Sequence, residues 1–106
     1  HKGALPVWLS PTQVIIIPIA DRHIPYSDKI REELEGKGVR VEVDGRKERM
    51  TKKIRDAEVQ KIPFMIIIGD EEVERGNITV RTREGENIKG IPLEKFQEMI
   101  EKEVRL

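Results

Sequence analysis

Residues Gln13–Ala20 read QVIIIPIA, a continuous apolar run rich in β-branched side chains. Such a run is too short for a helix of its own and is typical of a strand buried on both faces. Phe64–Gly69 reads FMIIIG and has the same character. Pro18 cannot donate to a strand ladder, so we expect the end of the first strand to lie at a bulge or at the boundary of the sheet.

The rest of the chain supplies helices and weaker strands around these two. A helix is predicted over 21–37, with Tyr26, Ile30 and Leu34 at a helical spacing and Pro25 in its first turn. Val39–Asp44 reads VRVEVD and alternates strictly, which indicates a half-exposed edge strand. The patterns that follow predict a helix over 48–61, strands over 77–83 and 87–91, and a last helix opened by Pro92.

The predicted order is therefore β-α-β-α-β-β-β-α. Two helical crossovers imply right-handed parallel connections, and the short return after Gly69 implies an antiparallel neighbour. We predict an α/β fold, a three-layer α/β/α domain with a mixed five-stranded sheet and three helices over 13–106. Residues 1–12 are interpreted as an extended linker in which Trp8 packs against an apolar surface.

Composition excludes several classes of protein. The chain has 106 residues with 20 Lys and Arg against 20 Asp and Glu, which fits one folded domain of zero net charge. The absence of cysteine excludes a disulfide scaffold, a thiolate zinc site and a cysteine nucleophile. There is neither an apolar run of membrane-spanning length nor a signal peptide, so we expect a soluble, cytoplasmic protein with no membrane partner.

Side-chain catalysis has little support. The histidines are His1, at the terminus, and His23. A zinc site needs three or four ligands at fixed spacing, whereas Asp21 and His23 supply two. The glycines at 36 and 38 fall at the end of a predicted helix, where they cannot form a phosphate-binding loop. The sequence predicts neither an active site nor a metal site.

Charge is balanced overall but uneven along the chain. Residues 46–55 (RKERMTKKIR) hold six bases and one acid, whereas residues 70–75 (DEEVER) hold four acids and one base. On a helix, the lysines and arginines of the first segment would sweep one face opposite Met50 and Ile54. That face is either a phosphate-binding patch or a solvated surface with pairs such as Glu48–Lys52, and composition slightly favours the second.

A second candidate surface lies on the strand predicted over 77–83. Alternation places Thr79, Arg81 and Arg83 on one face of that strand. The planar fork of an arginine matches the paired acceptors of a guanine, so such a face could read base edges. Exposed strand arginines also occur without a function, and the pattern alone leaves both interpretations open.

Three tracts together carry a family resemblance: KGALPVWLSPTQV, RVEVDGRKERMTKKIRDA and KIPFMIIIGDEEVERGNITVRTREG. They resemble the C-terminal anticodon-binding domain of the threonyl-tRNA synthetase family, a module shared with prolyl-, histidyl- and glycyl-tRNA synthetases. The resemblance covers essentially the whole chain. The opening at Pro6–Val14 and the tract Val80–Arg83 favour the threonyl member.

The resemblance implies that the domain grips the anticodon loop of threonine tRNA and reads its second and third bases, G and U. The family's reading residues fall on Glu72, Arg81 and Lys47. Lys47 is a departure, because many bacterial members have Asn there and a lysine cannot accept a hydrogen bond. We expect contacts to the tRNA backbone from five further residues: Arg46, Arg49, Lys52, Lys53 and Arg83.

The same resemblance implies a larger parent. In that family the segment HKGALP follows the last catalytic motif, so the chain is expected to be a non-catalytic fragment of an ATP-dependent threonine–tRNA ligase. ATP, Mg and Zn are then expected in the missing catalytic domain, with no cofactor in this chain. The parent is expected to be a homodimer and the fragment a monomer.

Three alternatives remain open from the sequence. The chain could be a homologous accessory or dimerisation module that no longer reads tRNA, since a fold does not fix a function. It could be a flavodoxin-like domain with a ligand at the strand ends near Asp21 and Gly69-Asp70. Its parent could also be a paralogue in which charging and editing are divided between two proteins.

Overall fold

The computed structural model describes residues 6–104. Single 3-10 turns at Val7–Leu9 and Asp21–His23 precede the first strand and the first helix. The elements in chain order are β1 (Val14–Pro18), α1 (Ile24–Glu35), β2 (Val41–Val43), α2 (Met50–Val59), β3 (Phe64–Ile68), α3 (Asp70–Arg75), β4 (Ile78–Arg81), β5 (Asn87–Ile91) and α4 (Leu93–Val104).

The strands form one mixed sheet in the order β2-β1-β3-β4-β5. β1 is parallel to β2 and β3, whereas β3–β4 and β4–β5 are antiparallel. The prediction of a five-stranded sheet with β2 at its edge is confirmed. Pro18 lies two residues beyond Ile16, the last residue of β1 that pairs with β2. Its nitrogen points to the side where β2 has already ended, so the missing N–H interrupts no ladder.

Helices cover the two faces of the sheet unequally. On the first face α1 and α4 enclose the main core, where the rings of Phe64 and Phe96 meet edge to face with centroids 5.5 Å apart. On the second face α2 packs through Ala57 against side chains of β1 and β3, among them Ile15 and Met65. The three-layer prediction is confirmed, with α2 as the sole long helix of the second layer within residues 6–104.

The segment 70–76 differs from its prediction as a turn. Residues 70–75 form the short helix α3, which was not predicted. Three acids lie in its first turn, where the positive end of the helix dipole favours them. Gly76 adopts a left-handed conformation, φ 69°, and ends the helix. β4 then ends at Arg81, which places Arg83 in the turn before β5 instead of on the strand.

The described part of the N-terminal segment, from residue 6, packs on the domain. Val7 is buried in the main core, and the side-chain amide of Gln13 donates to the Val7 carbonyl (3.1 Å) and accepts from the Arg40 N–H (2.9 Å). Trp8 is 40% exposed and lines a pocket with Ile100 of α4, whereas Val7 is 6% exposed and is the more deeply packed of the two. The first five residues of the predicted linker lie outside the described residues.

Candidate nucleic-acid interface

Beyond α2, the second face of the sheet carries polar side chains. Ile78 and Val80 belong to the main core on the first face, so alternation places Thr79 and Arg81 of β4 on the second. Asn87 of β5 pairs with Arg81 across the sheet. We call Thr79, Arg81 and Asn87 the open face, because the apolar side chains packed under α2 come from β1, β3 and the segment that leads into β3.

The guanidinium of Arg81 is held weakly on the open face. Its Nη1 donates to Asn87 Oδ1 over 3.3 Å, and its Nη2 lies 3.8 Å from Glu58 Oε2. Its Nε is buried and has no hydrogen-bond partner among the described residues. Long hydrogen bonds and loose surface ion pairs contribute little free energy. Arg81 can therefore exchange these partners for stronger acceptors at small cost.

Glu72 is, by contrast, firmly fixed. Its Oε1 accepts from the Gly69 N–H at 2.7 Å, and its Oε2 accepts from the Thr79 hydroxyl at 2.9 Å. The residue is 8% exposed. Each carboxylate oxygen has two lone pairs, so each retains one after these bonds. Glu72 thus presents a rigid acceptor beside the open face, joined to it through Thr79.

The remaining predicted reading residue, Lys47, lies in the loop between β2 and α2. Residues 45–49, which we call the basic loop, line a pocket of about 420 Å³ together with the segment that follows β1, including Ile19 and Asp21. We call this the strand-end pocket. Lys47 and Arg49 are exposed on it and form no ion pair with any residue from 6 to 104.

The basic loop is fixed at its start by Arg46. Its guanidinium donates to both oxygens of the buried Asp44 carboxylate (2.9 and 2.8 Å) and to Asp56 of α2 (2.9 Å). The hydrogen bonds from Arg46 lower the pKa of Asp44 and of Asp56 below their usual values. Arg46 thereby ties β2, the loop and α2 together, and its charge is already neutralised.

Of the other predicted backbone contacts, two lie in α2 and one lies elsewhere. Lys53 is buried, and its ammonium donates to the carbonyls of Asp44 (3.0 Å) and Pro18 (3.5 Å). Lys52 is exposed and pairs with Asp56 at 3.6 Å. Arg83 lines a pocket of about 180 Å³ between the turn after β4 and the C-terminal part of α2. Lys53 therefore faces the interior, where a surface contact was expected.

The side chain of Ile19 lies near both Glu72 and the strand-end pocket that contains Lys47. Ile19 is 54% exposed, lines the strand-end pocket beside Lys47, and donates its N–H to the Ile68 carbonyl. A methyl group added at Gly69 would lie 2.7 Å from Ile19 Cδ1 and 3.3 Å from Glu72 Oε1. The Ile19 side chain and the Glu72 carboxylate therefore lie on the same side of Gly69, and Ile19 also lines the pocket that contains Lys47.

Sequence reasoning missed the residues that hold the site in place. Asp44 and Asp56 neutralise Arg46, and Asp70 binds Arg22 and His23 at the same edge of the sheet. Asp44 and Asp70 each follow closely on a parallel strand, and the carboxyl ends of parallel strands meet at one edge. This position after a parallel strand was the feature of the sequence that could have identified Asp44 and Asp70. The side chains that they bind depend on loop conformation, which the sequence pattern does not specify.

In residues 6–104 no group of three or more His, Asp and Glu side chains is placed to hold a metal ion. Over the same range no helix has both the length and the apolar character needed to cross a membrane.

Comparison with known proteins gives a consistent picture. Residues 13–103 match a family described as the anticodon binding domain. The threonine–tRNA ligase of Aquifex aeolicus is 48% identical over 105 residues, which are 99% of this chain and 16% of that protein. The threonine–tRNA ligase of a Sulfurihydrogenibium species is 50% identical over 91% of this chain and 15% of its own length. This chain thus spans about one sixth of these relatives.

Solved structures agree with the sequence comparison. The RNA binding domain of threonyl-tRNA synthetase from Cryptosporidium parvum superposes with a TM-score of 0.87 at 28% identity, over 95% of this chain and 26% of that one. Prolyl-tRNA synthetase from the same organism gives 0.84 at 27% identity, over 95% of this chain and 22% of that one.

Proposed function

This chain belongs to the anticodon binding domain family, and on that basis we propose that it binds the anticodon loop of a threonine tRNA. In this proposal the open face and the strand-end pocket read the second and third anticodon bases, G and U. Recognition of unstacked bases by their edges is the usual strategy for single-stranded RNA. The threonine–tRNA ligases to which this chain is similar support the choice of tRNA.

The observation that carries the proposal is the state of Arg81. Both terminal nitrogens of its guanidinium have only long contacts, which a stronger acceptor can replace. Its fork matches the O6 and N7 acceptors of a guanine, and a good bidentate contact of this kind discriminates by ~1–3 kcal/mol. We assign Arg81 to the second base.

Glu72 supplies the complementary acceptor. Because Gly69 and Thr79 fix both of its oxygens, the carboxylate has one orientation before RNA binds. A guanine presents N–H donors on its pairing edge, which a carboxylate can accept and an adenine cannot match. Glu72 and Arg81 together therefore favour G over A at the same position.

The basic loop serves the third base and the phosphates. Lys47 can donate to a uracil carbonyl in the strand-end pocket, and Arg49 can neutralise a phosphate at its rim. Lys52 and Arg83 remain candidates for backbone contacts. Arg46 and Lys53 act indirectly in this proposal, because their donors are bound to Asp44, Asp56 and Pro18.

The wider role of the chain follows from its relatives. We propose that it is the tRNA-binding part of a threonine–tRNA ligase, with ATP, Mg and Zn bound by a catalytic domain outside this chain. We expect the reaction to take place in the cytoplasm, the ligase to be a homodimer and the isolated domain to be a monomer.

The test is the affinity ratio of Arg81 variants for two RNA stem-loops, one with the threonine anticodon and one with A at the second position. Arg81→Ala is expected to lower the ratio by about tenfold, in line with the loss of one bidentate base contact. Arg81→Lys should recover little, since an ammonium cannot form the planar fork. Arg31→Ala removes the same charge from α1 on the other side of the sheet and should leave the ratio unchanged.

Two results would contradict the proposal. An unchanged ratio in Arg81→Ala would remove Arg81 from base reading. Equal binding of both stem-loops by the unmodified protein would instead favour an accessory module that does not read tRNA.

A further inference from the structure

Two segments that follow parallel strands are joined by one carboxylate. Asp70, the first residue of α3, accepts from Arg22 Nε and Nη2, both at 2.8 Å, and from His23 Nε2 at 2.6 Å. Arg22 and His23 belong to the 3-10 turn after β1, whereas Asp70 follows β3. We call Arg22, His23 and Asp70 the strand-end clamp.

The imidazole of His23 gives the clamp a fixed geometry. Its Nδ1 accepts from the Ala20 N–H at 3.0 Å, so its Nε2 carries the proton that is donated to Asp70. The His23 side chain is 3% exposed, while those of Arg22 and Asp70 are each about two-thirds exposed. The arginine pair is exposed but bidentate, and the buried histidine binds one of the same two carboxylate oxygens. Arg22 and His23 together therefore determine where Asp70 lies.

The turn of α3 that contains Asp70 also contains Glu72. Asp70 binds the segment after β1, and Glu72 binds Gly69 and Thr79 of the open face. The segment bound by Asp70 also forms one wall of the strand-end pocket through Ile19, Ala20 and Asp21. The short helix α3 thus sets the distance between Glu72 and the strand-end pocket.

We propose that the strand-end clamp is a positioning device for base reading, which holds Glu72 in register with the strand-end pocket. This inference rests on the proposed function, since it concerns how the same site discriminates. The clamp itself contacts no base. Without the clamp, α3 loses its bonds to the segment after β1 and keeps the bonds of Glu72 to Gly69 and Thr79.

The clamp is expected to affect selectivity more than affinity. Lys47 and Arg49, which bind phosphate in our proposal, lie on the basic loop and take no part in the clamp. Displacement of Glu72 weakens the contact to the correct base, but it leaves the sequence-independent attraction to phosphate intact.

The test compares three variants in stem-loop binding and thermal unfolding. Asp70→Ala removes all three hydrogen bonds of the clamp and should lower the ratio between cognate and second-base-swapped stem-loops by about fivefold to tenfold, a range expected of residues that act through others. Asp70→Asn keeps an acceptor for His23 and should retain most of the ratio. Glu71→Ala removes the neighbouring, exposed acid of the same helix and should retain all of it.

Nitrogen NMR of the His23 ring supplies an independent readout. The unmodified protein should show Nε2 protonated and Nδ1 free of hydrogen, and Asp70→Ala should lose the proton signal of Nε2–H. An Asp70→Ala protein that unfolds at lower temperature yet keeps the full ratio would overturn the inference and leave the clamp a purely structural feature. If the unmodified protein itself shows no preference, the proposed function fails first, and the two failures are thereby distinguished.

Discussion

Lys52 and Lys53 are neighbours on α2, yet their ammonium groups have different surroundings. Lys52 is exposed beside Asp56, whereas Lys53 is 5% exposed and bound to two backbone carbonyls. A buried carbonyl that loses its only charged donor is costly, so Lys53 stabilises the start of the basic loop. Both lysines lie in one basic segment, so residue type alone could not separate these two roles.

We predict that Lys53→Met lowers the free energy of unfolding by about 1–2 kcal/mol, the usual cost of an unmatched buried polar group. Lys52→Met should change it by less than about 0.5 kcal/mol, as for most surface substitutions. Urea unfolding of both variants gives the comparison.

Stem-loop binding of the same two variants distinguishes a structural role of Lys53 from a direct contact between Lys53 and phosphate. If Lys53 contacted phosphate, Lys53→Met would reduce the salt slope of binding by about 0.7, the value for one neutralised phosphate of a single strand. An unchanged unfolding free energy together with such a reduced slope would contradict the interior role.

The sequence predicted which residues form the site, but not the contacts that they make. Glu72, Arg81 and Lys47 were named through the family resemblance, and their positions remain proposals for base reading. The unpartnered Nε of Arg81 and the two internal bonds of Glu72 are tertiary facts. Neither follows from residue type or spacing.

At the scale of elements, the strands were predictable and α3 was not. The runs at β1 and β3 are apolar throughout because both faces of these strands are covered, and that pattern is unambiguous. Residues 70–75 have four acids in six positions and one exposed apolar residue, Val73, so they show no helical stripe. α3 is held instead by bonds from Asp70 and Glu72 to other elements.

Ion pairs fix three aspartates: Asp44 and Asp56 near the basic loop, and Asp70 at the start of α3. Arg46 lowers the pKa of Asp44 and Asp56, and Arg22 and His23 lower the pKa of Asp70. A carboxyl whose pKa is lower in the folded state binds its proton less readily there than in the unfolded chain. Its contribution to stability is complete above the unfolded value of about 3.9 and is lost as the pH falls towards the folded value.

We therefore predict that the free energy of unfolding decreases as the pH falls below about 4, where unfolded Asp begins to bind protons. Arg46→Ala should be less stable at neutral pH and should lose less stability on acidification, because Asp44 and Asp56 return towards their usual pKa. Urea unfolding between neutral pH and about pH 3 measures both effects.

Arg31→Ala is the matched control for this series. Arg31 pairs with Glu35 on the surface of α1 and touches neither Asp44 nor Asp56. An Arg46→Ala protein with the same loss of stability on acidification as Arg31→Ala would show that Arg46 does not hold these carboxyls.

The whole molecule has zero net charge, and this shapes how it can bind RNA. Of the six bases in residues 46–55, Arg46 and Lys53 are bound to acids or carbonyls within the domain, and Lys52 forms a long ion pair with Asp56. Few cations therefore remain to release counterions from RNA, and affinity should depend on salt only weakly. Base contacts must supply a large share of the binding energy. We therefore expect the domain to discriminate between stem-loops of different anticodon sequence.

The most direct test of the account is a salt titration of the unmodified protein with two stem-loops. One carries the threonine anticodon, and the other has its second and third bases exchanged. The account predicts a preference for the first that persists as the salt concentration rises, with a shallow slope for both. Equal affinity for both stem-loops, falling steeply and in parallel with salt, would contradict it and reduce the domain to a phosphate-binding surface.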